Sequence, residues 1–155
     1  MNALTTVLAA CLVLVLAGGP GVAEQMAYSV RVTGACKSQL IVGWDDCDAH
    51  ATYTAFKSGK YTFEFTDKYN NVYVLSGAKD RQLDASNLYS NIDAIVSTVD
   101  GKKMVDSQAM GGCNTKLSPD GEKFVYIDCA VSNSKKVPLK FRITNITDVQ
   151  RTFSD

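Results

Sequence analysis

The chain's single histidine stands at the end of a short acidic run, Trp44-Asp45-Asp46-Cys47-Asp48-Ala49-His50. In an extended backbone alternate side chains share a face, so Asp46, Asp48 and His50 would project together. Two carboxylates and an imidazole could hold a divalent cation, or form a histidine base oriented by carboxylates. The run lacks the glycine and terminal glutamate of a calcium loop. No Cys-x-x-Cys spacing offers a zinc site either. The expectation is an acidic turn with no metal and no cofactor, Asp46, Asp48 and His50 being the only weak ligand candidates.

Serine–histidine catalysis would have to use His50, and no Gly-x-Ser-x-Gly elbow singles out a nucleophile. A carboxylate pair drawn from Glu64, Glu122 and the aspartates would need two carboxyls held at a set separation across a cleft. Linear spacing does not specify that. The residues make no positive case for an enzyme.

Cys36, Cys47, Cys113 and Cys129 are the cysteines outside the N-terminal leader. Four cysteines permit three pairings. The pairing expected is Cys36–Cys47 with Cys113–Cys129. Pro119-Asp120-Gly121 is a strong turn signal, with proline pre-setting φ and glycine free to take positive φ. A hairpin folded there brings Cys113 and Cys129 to one face within a register step, and a bulge at Gly111-Gly112 would close the gap. Cys36 and Cys47 would close a short loop around Gly43 that carries Trp44. These cysteines read as structural staples rather than reactive thiols.

Trp44, Tyr53, Phe56, Tyr61, Phe63, Phe65, Tyr69 and Tyr73 crowd into one third of the chain. They suit either the core of a β structure or the mouth of a ligand pocket, and the core is favoured. Trp44, Tyr53 and Tyr69 are the candidates for ligand or partner contact, Trp44 foremost because it adjoins a cystine and a run of aspartates.

Before residue 24 there is no Asp, Glu, Lys or Arg. Residues 9–17 form an apolar run, and Gly21-Val22-Ala23 is a small-x-small cleavage pattern, so residues 1–23 read as a cleaved secretory signal. The apolar run is too short to span a bilayer, which takes about 20 residues. No membrane span is expected after cleavage. Leu8-Ala9-Ala10-Cys11 resembles a lipoprotein box, but the stronger apolar stretch lies after Cys11, which argues against acylation. Asn145-Ile146-Thr147 is a glycosylation sequon, meaningful only in a eukaryotic secretory pathway. The leader reads as bacterial, and on that ground the sequon is taken as coincidental.

The 16 acidic and 16 basic residues balance to zero net charge, which gives no electrostatic case for nucleic acid. Residues 24–155 suffice for one domain and are too few for two ordinary ones.

The elements that must position these side chains follow a period of two. Tyr28, Val30 and Val32 alternate with polar neighbours, as do Tyr61, Phe63 and Phe65, and Val137, Leu139, Phe141 and Ile143. Such strands bury one face and wet the other, as antiparallel sheets do. Turn signals at Ser58-Gly59, Asn70-Asn71, Asp100-Gly101 and Pro119-Asp120-Gly121 separate them. The expected fold is all-β, an antiparallel meander of 8–10 short strands closed as a small barrel or folded as a sandwich. Leu88, Ile92, Ile95, Val96 and Val99 follow helical spacing, so a short helix around 84–91 competes with strand there. The expected function is a non-enzymatic periplasmic or secreted binding protein for a small ligand or another envelope or secreted protein. A protease-inhibitor-like module presenting the Cys36–Cys47 loop, and a small carboxylate-based hydrolase, are the alternatives.

Overall fold

The computed structural model describes residues 24–40, 43–78, 80–120 and 123–154. The leader with Cys11, and likewise Gly121 and Glu122, lie outside the described residues. Eleven strands follow one another: β1 (Met26–Gln39), β2 (Asp45–Phe56), β3 (Lys60–Asp67), β4 (Val72–Ala78), β5 (Arg81–Gln82), β6 (Asn87–Ile92), β7 (Ala94–Val99), β8 (Lys102–Asp106), β9 (Met110–Leu117), β10 (Phe124–Ser132) and β11 (Pro138–Phe153). They form a single antiparallel sheet in the order β5-β6-β9-β10-β11-β1-β2-β3-β4-β7-β8, curled into a half-barrel.

The alternation seen in the sequence places the core. Val30, Val32, Ala51, Tyr53, Tyr61, Phe63, Phe65, Tyr73, Leu75, Ile127, Phe141 and Ile143 all face the concave side and are buried. Phe65 stacks on Phe141 with ring centroids 4.8 Å apart, and Tyr73 approaches the same ring at 5.2 Å. Burying a side chain of this size contributes about 1.5–3 kcal/mol. The crowded aromatics are thus mostly core. At the Asp100-Gly101 turn both residues take positive φ, 49° and 73°, the twist that a two-residue hairpin between right-twisted strands requires.

No helix forms among the described residues, so the helical alternative at 84–91 is overturned. The Asp84 carboxylate accepts hydrogen bonds from the backbone N–H groups of Ser86 and Asn87. That makes a turn, after which Asn87–Ile92 pairs with β9. The helical spacing has a local cause. A break at Asp93 separates β6 from β7 and shifts the alternation by one residue, so Ile92 and Ile95 both point into the core three positions apart. The same break raises the strand count above the expected 8–10.

The two outer parts of the strand order meet at this broken strand. β7 pairs with β4 and β6 pairs with β9, while the Asp93 N–H donates to the Ser76 carbonyl at 3.0 Å. The Tyr61 hydroxyl donates to the Asn91 carbonyl at 2.5 Å. Gly77 is required at this contact, since a Cβ there would sit 1.9 Å from the Asn91 carbonyl oxygen.

Both expected disulfides are present. Cys36 of β1 joins Cys47 of β2, and Cys113 of β9 joins Cys129 of β10. Cys113 and Cys129 are direct cross-strand partners. The register shift in that ladder lies between Phe124 and Tyr126, near the hairpin turn, and not at Gly111-Gly112 as expected.

Candidate functional site

One end of the half-barrel carries the connection from β1 to β2 and the turn from β3 to β4. Trp44 is 43% exposed there, and the Arg142 guanidinium of β11 lies 5.5 Å from its ring centroid. Arg142 Nη2 contacts Asp128 Oδ2 of β10 at 2.6 Å, and this hydrogen bond raises the Arg142 pKa further. The cation is therefore held by an anion on one side and borders an aromatic face on another, an arrangement that fixes all three groups.

Next to Trp44, Asp45 Oδ1 accepts from Lys68 Nζ at 2.8 Å, and Lys68 in turn lies 5.0 Å from the ring centroid of Tyr69. Tyr69 is 70% exposed. Its turn is built by the buried Asp67, whose Oδ1 accepts from the backbone N–H groups of Tyr69 and Asn71 at 2.8 and 2.9 Å. Asp67 Oδ2 accepts from Asn71 Nδ2 at 2.8 Å and faces the Tyr73 hydroxyl at 3.4 Å. Asn70 takes φ 63°, which asparagine tolerates better than most residues. Two exposed rings, each beside a cation, are thus carried by connections fixed by a cystine and by a buried carboxylate.

The third aromatic expected at a contact site, Tyr53, is 8% exposed and sits toward the opposite end. Its hydroxyl donates to Asp80 Oδ2 at 2.7 Å, and its ring packs on Phe63 at 4.9 Å. Burial first, and then the Asp80 hydrogen bond, push its pKa well above the ordinary tyrosine range.

The acidic run is divided. Asp46 Oδ1 meets Lys37 Nζ at 2.6 Å, and that hydrogen bond lowers the Asp46 pKa. Asp48 accepts from the His50 backbone N–H at 2.9 Å, and His50 Nδ1 lies 3.0 Å from the Thr33 hydroxyl. A register irregularity between Cys47 and Ala51 breaks the extended geometry that would align the three side chains. Asp48 and His50 do share a shallow cleft of about 130 Å³ on the convex face with Arg31, Thr52, Glu64 and Thr66. Among the described residues no three His, Cys, Asp or Glu side chains converge as a metal site.

A second cleft, of about 290 Å³, is lined by Tyr126, Asp128, Arg142 and Thr144. Trp44 meets this cleft at Arg142. Arg142, Asp128 and Lys68 escape a reading of the sequence because each looks like an ordinary outward or turn residue. The pairing of Asp128 with Arg142 across β10–β11, and of Arg142 with Lys37 across β11–β1, brings those two beside the β1–β2 connection, and Lys68 reaches it from the β3–β4 turn through Asp45. Chemically the end offers flat apolar rings with cations beside them, and among the described residues no arrangement of nucleophile, base and oxyanion donors.

No family model matches the chain, and no curated protein or solved structure is significantly similar to it.

Proposed function

We propose that the protein is an exported, non-enzymatic binding protein that recognises another envelope or secreted protein through the end bearing Trp44 and Tyr69. The observation that carries this reading is the pair of exposed aromatic rings tied together through Asp45–Lys68 and backed by Arg142. Rigid, partly exposed aromatics and arginine are the residues that concentrate binding energy at protein interfaces. The cystines suit an oxidising compartment, and the signal-like leader in residues 1–23 agrees with export.

The small-ligand form of the binding hypothesis loses ground, because the concave side is filled by the core rings and aliphatics. The test is quantitative capture of partners from the extracellular or envelope fraction of the source. The wild-type chain is compared with the Trp44→Ala/Tyr69→Ala variant and with Phe153→Ala at the far end. Loss of a saturable partner with the first variant alone supports the reading; equal capture by all three overturns it.

A carboxylate-based hydrolase is the second reading, favoured by the cleft that gathers Asp48, His50 and Glu64. Activity that disappears in Glu64→Gln with the fold intact would support it over the first.

A further inference from the structure

We propose that the outer edge of β8 pairs with the same edge of a second copy of this chain, extending the sheet across a two-fold axis at Met104. β8 ends the strand order, and among the described residues no strand pairs with its outer side. On its inner side lies β7, joined to it by the two-residue Asp100-Gly101 turn, which closes on the pair Val99–Lys102. A two-residue hairpin closes on a hydrogen-bonded pair, and the backbone alternates from there. Lys102, Met104 and Asp106 therefore turn their N–H and C=O groups to β7, and Lys103 and Val105 turn theirs outward.

The side chains select the strand that fits. Met104 is 54% exposed and Val105 52%, one on each face of the strand. A neighbouring strand would cover part of that apolar area. Lysines ordinarily guard an edge against pairing, and Lys102 and Lys103 stand on this one. Among the described residues neither forms an ion pair. Yet Lys102-Lys103-Met104-Val105-Asp106 matches itself in charge when read antiparallel about its centre. Met104 then faces Met104 of the second copy, Lys103 faces Val105 with its stem along the valine, and Lys102 faces Asp106.

The backbone accepts the same register. The outward Lys103 and Val105 exchange N–H···O=C bonds with Val105 and Lys103 of the second copy. The two Met104 residues fall at the close, non-hydrogen-bonded position on the axis. An axis at Lys103 would set two lysines opposite each other, and an axis at Val105 would set Met104 against Asp106. Asp106 is held ready for its counterpart. Its Oδ1 accepts from the Gln108 N–H at 3.0 Å, and its Oδ2 from the Ser134 N–H and hydroxyl at 2.8 and 2.7 Å. These bonds, the Ser134 hydroxyl's foremost, lower its pKa and keep it anionic, with Lys135 adding a smaller effect. A carboxylate offers about four acceptor positions, which leaves room for a lysine.

The pairing uses neither Trp44 nor Tyr69, so it is tested separately from the recognition proposed above. Sedimentation equilibrium of the folded chain should show a concentration-dependent mixture of monomer and dimer. Val105→Pro removes an outward N–H and no bond to β7; it should leave only monomer, with circular dichroism and urea midpoint intact. Lys102→Glu leaves the backbone alone and carries the test if the proline variant fails to fold. It should raise the dimer dissociation constant about tenfold, because two cross-strand attractions become repulsions. Trp44→Ala should leave that constant unchanged. Under mild oxidation Met104→Cys should cross-link two copies and Lys103→Cys should not, since only residues on the axis come within disulfide reach. A chain that stays monomeric up to about 1 mM overturns the inference and leaves the edge to a strand of another protein. A dimer that persists in a folded Val105→Pro or is unmoved by Lys102→Glu overturns it, as does one that cross-links through Lys103→Cys or is lost in Trp44→Ala.

Discussion

Removing the two cystines one at a time should separate a staple that closes a loop from one that also fills the core. Cys36 and Cys47 lie 11 residues apart and Cys113 and Cys129 lie 16 apart. On the chain-entropy model these loops are worth about 2.8 and about 3.1 kcal/mol, so entropy hardly distinguishes them. Burial does. Cys113 and Cys129 are both fully buried in the core cluster, whereas in the outer pair Cys36 belongs to that cluster but Cys47 is only partly buried against it. Replacing the inner pair by alanine deletes two packed sulfurs, adding roughly 1–2 kcal/mol of lost contact and cavity. The Cys113→Ala/Cys129→Ala variant should then lose about 4–5 kcal/mol, and Cys36→Ala/Cys47→Ala about 2–3 kcal/mol. Urea unfolding reads this directly, since 3 kcal/mol moves the midpoint by about 1–3 M at ordinary denaturant slopes. The outer variant should also lower the fluorescence anisotropy of Trp44, the chain's single tryptophan, because its loop is released. Equal losses, or the outer pair costing more, would refute the assignment of the inner cystine to the core.

Further outcomes follow from the same packing. Gly77→Ala should destabilise by about 3 kcal/mol or more, because its Cβ would meet the Asn91 carbonyl, which is backbone and yields little. Tyr61→Phe, which removes only the hydrogen bond at that contact, should cost about 1 kcal/mol in the same urea assay. At alkaline pH, burial and then the Asp67 carboxylate push Tyr73 up to about 12, and burial chiefly drives Tyr53 and Tyr61 higher still. Unfolded tyrosines ionise near pH 10 (about 10 on the peptide scale). The unfolded chain therefore releases these protons first, and the stability these groups lend is present below that pH and lost as pH rises toward and past 12. Phenolate absorbance of these three should appear together with loss of the sheet signal in circular dichroism; ionisation near pH 10 in an intact sheet would contradict it. Arg142→Ala should leave the midpoint nearly unchanged, its ion pair with Asp128 being largely exposed, yet increase acrylamide quenching of Trp44 by uncovering one face of the ring.

Much of the architecture was legible because one rule governed it. Where polar and apolar residues alternate, as in Tyr61, Phe63 and Phe65, a single buried face follows, and the turn residues mark the ends. The rule failed at Asp93, where a break changes the phase and imitates helical spacing with Ile92 and Ile95. The inner cystine was legible from the turn at Pro119, though the register shift that aligns it sits near Phe124. The candidate site was legible in part. Trp44 and Tyr69 stood out by type, but their cations did not, because Arg142 comes from a strand about a hundred residues downstream of Trp44. Tyr53 was indistinguishable from them in sequence, since burial depends on which face of β2 turns inward. Asp46 and Asp48 follow the spacing of a ligand pair, and nothing local announces that Lys37 takes one of them.

The central claim is that the stapled end with Trp44 at its surface is the recognition surface. Its most direct test uses the chain's single tryptophan as the reporter. A partner recovered by capture is titrated into the folded protein while Trp44 emission and acrylamide quenching are followed at an excitation that tyrosine does not share. The account predicts a saturable blue shift with protection from acrylamide, both lost when the cation beside Tyr69 is neutralised in Lys68→Gln. Saturable binding that leaves Trp44 emission and quenching unchanged would contradict it, and would move the recognition surface elsewhere on the sheet.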